Sequence, residues 1–288
     1  MVDHIQLYSV GFLKSPSFPD SKNLLFPIWS YLLRLPKPKI KPTTTSIMHV
    51  VPFTSLLLAI ASFANAIVNG VEATKDQAPF TVGLSGTRLF CAGSLIGEKS
   101  VITAASCVKD KDATSINVRL GSLQHASGGT VIGVASIDIH PQYDADSLDN
   151  DIAFLALADS YSGATPAQLP TKQKALGYGS SVQIFGWGET SKGASFSRTL
   201  KTASVNIISR LNCQNIYGPI TTITRREFCV ITKDGKGACQ ADQGGPVVDS
   251  AGTLVGIISR AKSCDAGNYP GVETQVDAYL DWINSKLA

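Results

Sequence analysis

At 288 residues and 44% apolar side chains, the chain can bury one large all-β domain or two small ones, which excludes a wholly disordered protein. Charged residues make up only 16% and the net charge is +3, too little to imply a nucleic-acid or anionic-membrane partner. Residues 1–66 hold six of the 25 basic and two of the 22 acidic side chains. Residues 67–288 therefore carry a net charge of −1, and the basic character belongs to the leader.

In chain order, residues 1–47 combine the short apolar run LLFPIWSYLL with Arg34, Lys37, Lys39 and Lys41 set among prolines. No folded domain is expected there. The segment reads either as a disordered upstream extension ahead of a start at Met48 or as a long basic n-region. Residues 48–66 read as a signal peptide. Pro52 and Asn65 interrupt the apolar stretch Val50–Ala66, leaving it short of the ~20 residues that a bilayer span requires. It ends in Ala64-Asn65-Ala66, the small-x-small pattern that a signal peptidase accepts. Cleavage there exposes Ile67 with no propeptide.

From Ile67 onward, short β segments follow one another between Gly, Ser, Asp and Pro clusters: SLIGEKSVITAA, INVRLGS, TVIGVASIDI, DIAFLAL, SSVQIFGWG, KTASVNII and TLVGIISR. This is the pattern of a barrel or sandwich. The one strong helical period is terminal, with Val276, Tyr279, Leu280, Ile283 and Leu287 forming a single stripe. Six cysteines lie between Cys91 and Cys264 without C-x-x-C or Cys/His metal spacing, so disulfides are expected and no metal or cofactor is. Sequence alone allows fifteen pairings. Disulfides persist in oxidising compartments, which points outside the cytosol.

Several segments in order resemble the chymotrypsin/trypsin family across residues 67–288. They are IVNG at Ile67, TAASC at Thr103, NDIAFLAL at Asn150, GWG at Gly186, ADQGGP at Ala241, GIISR at Gly256 and PGV at Pro270. The resemblance implies an all-β fold of two antiparallel six-stranded β-barrels with a C-terminal α-helix. It also implies the pairings Cys91–Cys107, Cys213–Cys229 and Cys239–Cys264, each worth about 3 kcal/mol on the chain-entropy model. By family position Ile67 and Asp242 form a buried ion pair once the terminus is free.

Acyl transfer on this fold needs a serine Oγ, an imidazole to take its proton, a buried carboxylate and backbone N–H groups for the oxyanion. In family order the three triad positions read Ser106, Asp151 and Gln243, so only the aspartate is kept. A glutamine amide is no nucleophile and a serine no general base. His125 and His140, the two histidines after the leader, read as solvated loop residues. Ala241 stands at the oxyanion-hole glycine. The specificity-pocket positions are Gly237, Ser259, Arg260, Ala261, Gly271 and Glu273, with Gly237 at the base, where trypsins carry aspartate. The changes at Arg260, Ala261 and Glu273 read either as drift after function was lost or as a charged Arg260/Glu273 site that recognises a new ligand at the former substrate cleft.

The resulting expectation is a secreted, monomeric, non-catalytic homologue that binds a protein or glycan through that cleft, with no nucleic-acid or membrane partner. An active serine endopeptidase and a purely structural secreted protein are the alternatives.

Overall fold

The computed structural model describes residues 67–171, 176–218, 220–231, 235–262, 264 and 269–287. The expectations for residues 1–47 and 48–66 lie outside the described residues. In chain order the strands are β1 (Val71–Glu72), β2 (Thr81–Ser85), β3 (Leu89–Gly97), β4 (Ser100–Thr103), β5 (Asn117–Leu120), β6 (Thr130–Ile139) and β7 (Ala153–Leu157). They continue with β8 (Ser181–Gly186), β9 (Lys201–Ile208), β10 (Glu227–Ile231), β11 (Pro246–Val248), β12 (Leu254–Arg260) and β13 (Gly271–Gln275). Helices are α1 (Ala105–Val108), α2 (Arg210–Tyr217) and α3 (Leu280–Leu287), the last entered through a 3₁₀ turn, Val276–Tyr279.

Strands β2 to β7 close into a six-stranded antiparallel barrel in the order β2-β3-β4-β7-β6-β5. A second barrel runs β9-β10-β13-β12-β11-β8 and closes where β8 pairs with β9, with β1 added at β9. Closure removes the exposed sheet edges that short strands would otherwise present. Inward side chains fill each barrel: Leu84, Leu95, Ile102, Leu120 and Leu155 in the first, and Val182, Ile184, Val205, Val247 and Ile258 in the second. Each such side chain stabilises the fold by about 2 kcal/mol through the water it sheds.

The three disulfides join Cys91 to Cys107, Cys213 to Cys229 and Cys239 to Cys264. The segments TVIGVASIDI and KTASVNII coincide with β6 and β9. The terminal stripe also forms its helix, burying Val276, Tyr279, Leu280 and Ile283, while Leu287 stays exposed. The amino-acid pattern does not mark helix α2. It spans only eight residues and buries just Cys213 and Tyr217, so it has little apolar period to read; Ser209 caps it by accepting from the Asn212 N–H.

The barrels meet along a seam built by chain segments that leave their ends. Thr274 in β13 donates its hydroxyl to the Asp151 carbonyl, which precedes β7, at 3.0 Å. The Gln243 carbonyl, ahead of β11, accepts from the Ala92 N–H of β3 at 2.8 Å. Gly244 allows that approach: a β-carbon there would fall 2.1 Å from Thr103 Oγ1 and 2.2 Å from the Ala92 carbonyl. The seam therefore brings Ser106, Asp151 and Gln243 to one place.

Candidate functional site at the barrel seam

Asp151 is fully buried and its carboxylate is tightly held. Oδ1 accepts from the Ser106 N–H at 2.7 Å, while Oδ2 accepts from Ser106 Oγ at 3.0 Å and from Ser259 Oγ at 2.6 Å. Burial pushes its pKa up, and the bonds from Ser259 and Ser106 oppose that shift. Ser106 is placed by the single turn of α1, directly after β4, and Ser259 by β12.

Gln243 points its side chain back on its own loop, where Oε1 accepts from the Ala241 N–H at 3.0 Å. A donor at that position requires the oxygen of the amide, so the side-chain NH₂ faces the other way. The N–H that the family resemblance assigns to the oxyanion is thus already satisfied from within the chain. Ala241 itself has φ +71°, a left-handed conformation that costs an L-residue roughly 1–2 kcal/mol.

Asp242 is buried beneath this loop, and its two oxygens accept from Gly188 N at 2.7 Å and Cys239 N at 2.9 Å. Burial dominates and pushes its pKa up to about 7, against the lowering effect of those two bonds. The GWG segment explains itself here, because a β-carbon at Gly186 or Gly188 would lie 2.0 or 2.6 Å from the Asp242 carboxylate oxygens. The Ile67 side chain is fully buried among Val182, Ile184 and Ile258, and Val68 pairs with Gly237.

The specificity-pocket positions divide in two. Gly237, Ala261, Gly271 and Glu273 line an enclosed cavity of about 20 Å³, room for roughly one water. Ser259, Arg260 and Ala261 instead border a larger cleft of about 280 Å³, together with Ser106, Leu148 and Gln243. A neighbouring groove of about 240 Å³ shares Leu148, Arg260 and Ala261 and adds Tyr217, Ile220 and Lys262.

A charged Arg260/Glu273 face is not what forms. The guanidinium turns inward, and its Nη1 donates to Glu227 Oε1 at 2.6 Å, with the Glu227 side chain only 2% exposed. Two buried charges pair because each alone would be costly, and Glu227 on β10 is the carboxylate within reach. Glu273 is fully buried: its pKa is pushed up to about 8 by desolvation, with the Ser259 N–H and the Arg260 charge opposing and the Asp242 charge assisting. Its Oε2 has no hydrogen-bond partner among the described residues.

Sequence reasoning missed Glu227, because nothing local in RREFCV marks it and its partner lies 33 residues away. The histidines also differ from expectation, since both are half-buried. His125 pairs its backbone with Arg198, His140 packs edge-on against Tyr279 and Trp282, and burial lowers both pKa values. Neither lines the 280 Å³ cleft.

The cleft therefore offers hydroxyls, an amide and an arginine that pairs with Glu227 through Nη1 alone. A family model described as Trypsin matches residues 67–283. Over 228 residues the chain is 40% identical to Trypsin Blo t 3 of Blomia tropicalis, covering 76% of this chain and 85% of that one. Trypsin-3 of Homo sapiens is 37% identical over 230 residues, covering 77% and 73% respectively. Among solved structures, neuropsin, a serine protease expressed in the limbic system of mouse brain, superposes with a TM-score of 0.70 at 33% identity. It covers 77% of this chain and 100% of its own.

Proposed function

Because the chain belongs to the trypsin family (peptidase S1), we propose that it is a secreted, non-catalytic member that binds a partner through the cleft at the barrel seam. The observation that carries this reading is the bond from the Ala241 N–H to Gln243 Oε1. Catalysis of acyl transfer depends on free, pre-oriented donors at the developing oxyanion, and here a substrate carbonyl must first displace the chain's own amide. The side chain making that bond stands where the nucleophile is needed, and Ser106 stands where the base is needed. Asp151 remains, but a carboxylate with a serine in front of it has no imidazole to orient.

Incubation of the purified protein with labelled casein is expected to release no label above buffer. Turnover that survives repurification and is abolished by a serine-directed phosphonate overturns the reading. That outcome would favour the second reading, a serine endopeptidase, with which the names of the trypsin relatives agree.

Secretion is part of the same proposal, since three disulfides fit an oxidising compartment. Cleavage after Ala66 would free an ammonium at Ile67, whose side chain already sits in the second barrel's core. That ammonium is proposed to pair with Asp242 and return its carboxyl to the ionised form. N-terminal sequencing of protein recovered from culture medium is expected to begin at Ile67; any other start removes this part of the proposal.

A further inference from the structure

The cleft floor has a fixed hydrogen-bond polarity. A serine hydroxyl carries one proton and two lone pairs, and Ser106 and Ser259 both direct their proton at Asp151 Oδ2. Toward the cleft they are therefore acceptors. Gln243 is set the opposite way: Oε1 is held by the Ala241 N–H, and its Nε2 meets no acceptor among the described residues, which leaves two N–H donors. Ser106, Ser259 and Gln243 line the same 280 Å³ space, walled by Leu148 and the Cys91–Cys107 disulfide. No open charge competes with them. Glu227 offsets the Arg260 charge through Nη1, the Nε and Nη2 donors are shut off from solvent without a hydrogen-bond partner among the described residues, and the Asp151 carboxylate lies behind the two hydroxyls.

Resting on the reading that this cleft binds a partner, we propose that its floor recognises a neutral primary carboxamide, the side chain of an asparagine or glutamine on a partner protein. The carboxamide oxygen accepts from Gln243 Nε2 and its NH₂ donates to Ser106 Oγ. A planar amide carries one donor and one acceptor side by side, which is the complement of what the floor displays. A carboxylate keeps the first bond but sets lone pair against lone pair at Ser106, with the Asp151 charge behind it. A leucine side chain leaves both groups unpaired.

The probes are N-acetyl-glutamine-N-methylamide and N-acetyl-glutamate-N-methylamide, whose secondary amides are identical and cancel in the comparison. Titrated into the isotope-labelled protein and followed by NMR, the glutamine derivative is expected to shift the Gln243 side-chain NH₂ and the Ser106 amide. It should bind at least tenfold more tightly than the glutamate derivative. Gln243→Glu keeps an oxygen for the Ala241 N–H while replacing the donors with an acceptor, and should cost the glutamine derivative tenfold or more. Ser106→Ala should do the same from the other side, so the conclusion does not depend on one variant folding; near-UV circular dichroism checks both.

Equal binding of the two derivatives overturns the proposal. So does the absence of shifts at the solubility limit, or stronger competition for the same signals by N-acetylglucosamine. The underlying reading fails separately: a partner whose capture is indifferent to every cleft substitution removes it. A partner lost on Gln243→Glu and Ser106→Ala but seated through a hydroxyl or carboxylate leaves that reading intact and removes only the carboxamide.

Discussion

Replacing Ser106 by histidine and Gln243 by serine together is expected to create peptidase activity, raising peptide turnover over the unmodified chain on the order of 10⁴-fold. That stays below the roughly 10⁶-fold that separates an intact triad from none. The carboxylate half of the machinery is already in place, because Asp151 is buried and held by the Ser106 N–H and Ser259 Oγ. An imidazole at position 106 would take over the place of the Ser106 hydroxyl and be oriented by the same carboxylate. Removing Gln243 Oε1 also frees the Ala241 N–H for an oxyanion.

Either substitution alone is expected to yield no measurable gain, since nucleophile and base act as a unit. The enclosed cavity beside Gly237, at about 20 Å³, leaves no room for a lysine or arginine side chain, so turnover is expected on peptides with glycine on the acyl side. Adding Ala241→Gly should raise activity further by relieving the left-handed strain. Initial rates on short chromogenic peptides provide the check. A double variant that folds but stays silent, with Ala241→Gly included, would show that more than the triad has been lost.

Glu273 is expected to make the fold markedly less stable in alkali. Its carboxyl is fully buried with a pKa of about 8, well above the ordinary glutamate value of 4.5, and its Oε2 lacks a partner among the described residues. The folded state thus holds a proton that the unfolded chain has already released. The associated stability is complete below about pH 4.5 and is lost as pH rises through about 8, on the order of 5 kcal/mol in all. Asp242, raised to about 7, adds a loss in the same direction wherever no ammonium reaches it.

Glu273→Gln keeps the volume and cannot ionise, so urea midpoints measured at pH 5, 7 and 9 should fall steeply for the unmodified chain and much less for the variant. At pH 9 the variant should be the more stable of the two. Parallel pH profiles would show that Glu273 is ionised in the fold, with Arg260 or a bound water compensating the charge.

The shared direction of these two carboxyls also bears on the cleft. Glu273 faces Ile258 across the β12–β13 ladder, next to Ser259, whose Oγ donates to Asp151. Ionisation of Glu273 therefore loads the strand that positions the cleft floor, which makes pH 5–7 the range for the binding measurements.

The residue types at the seam, and the strands that carry them, were legible from the amino-acid order. Alternation and turn residues are local properties, so β6 and β9 emerge from their own segments with their full lengths. The family resemblance implied that Ser106, Asp151 and Gln243 come together and how the six cysteines pair, where the sequence by itself left fifteen pairings open. Which partner each polar side chain takes was decided only by the tertiary structure. Gln243 could have faced the cleft with either end of its amide, and the Ala241 N–H selects the oxygen. Arg260 finds Glu227 across two strands, and Glu273 is enclosed by residues far from it in sequence. A long side chain has several rotamers of similar intrinsic energy, and burial makes an unmet hydrogen bond or charge cost several times that difference. The choice among them therefore belongs to the surroundings that folding assembles.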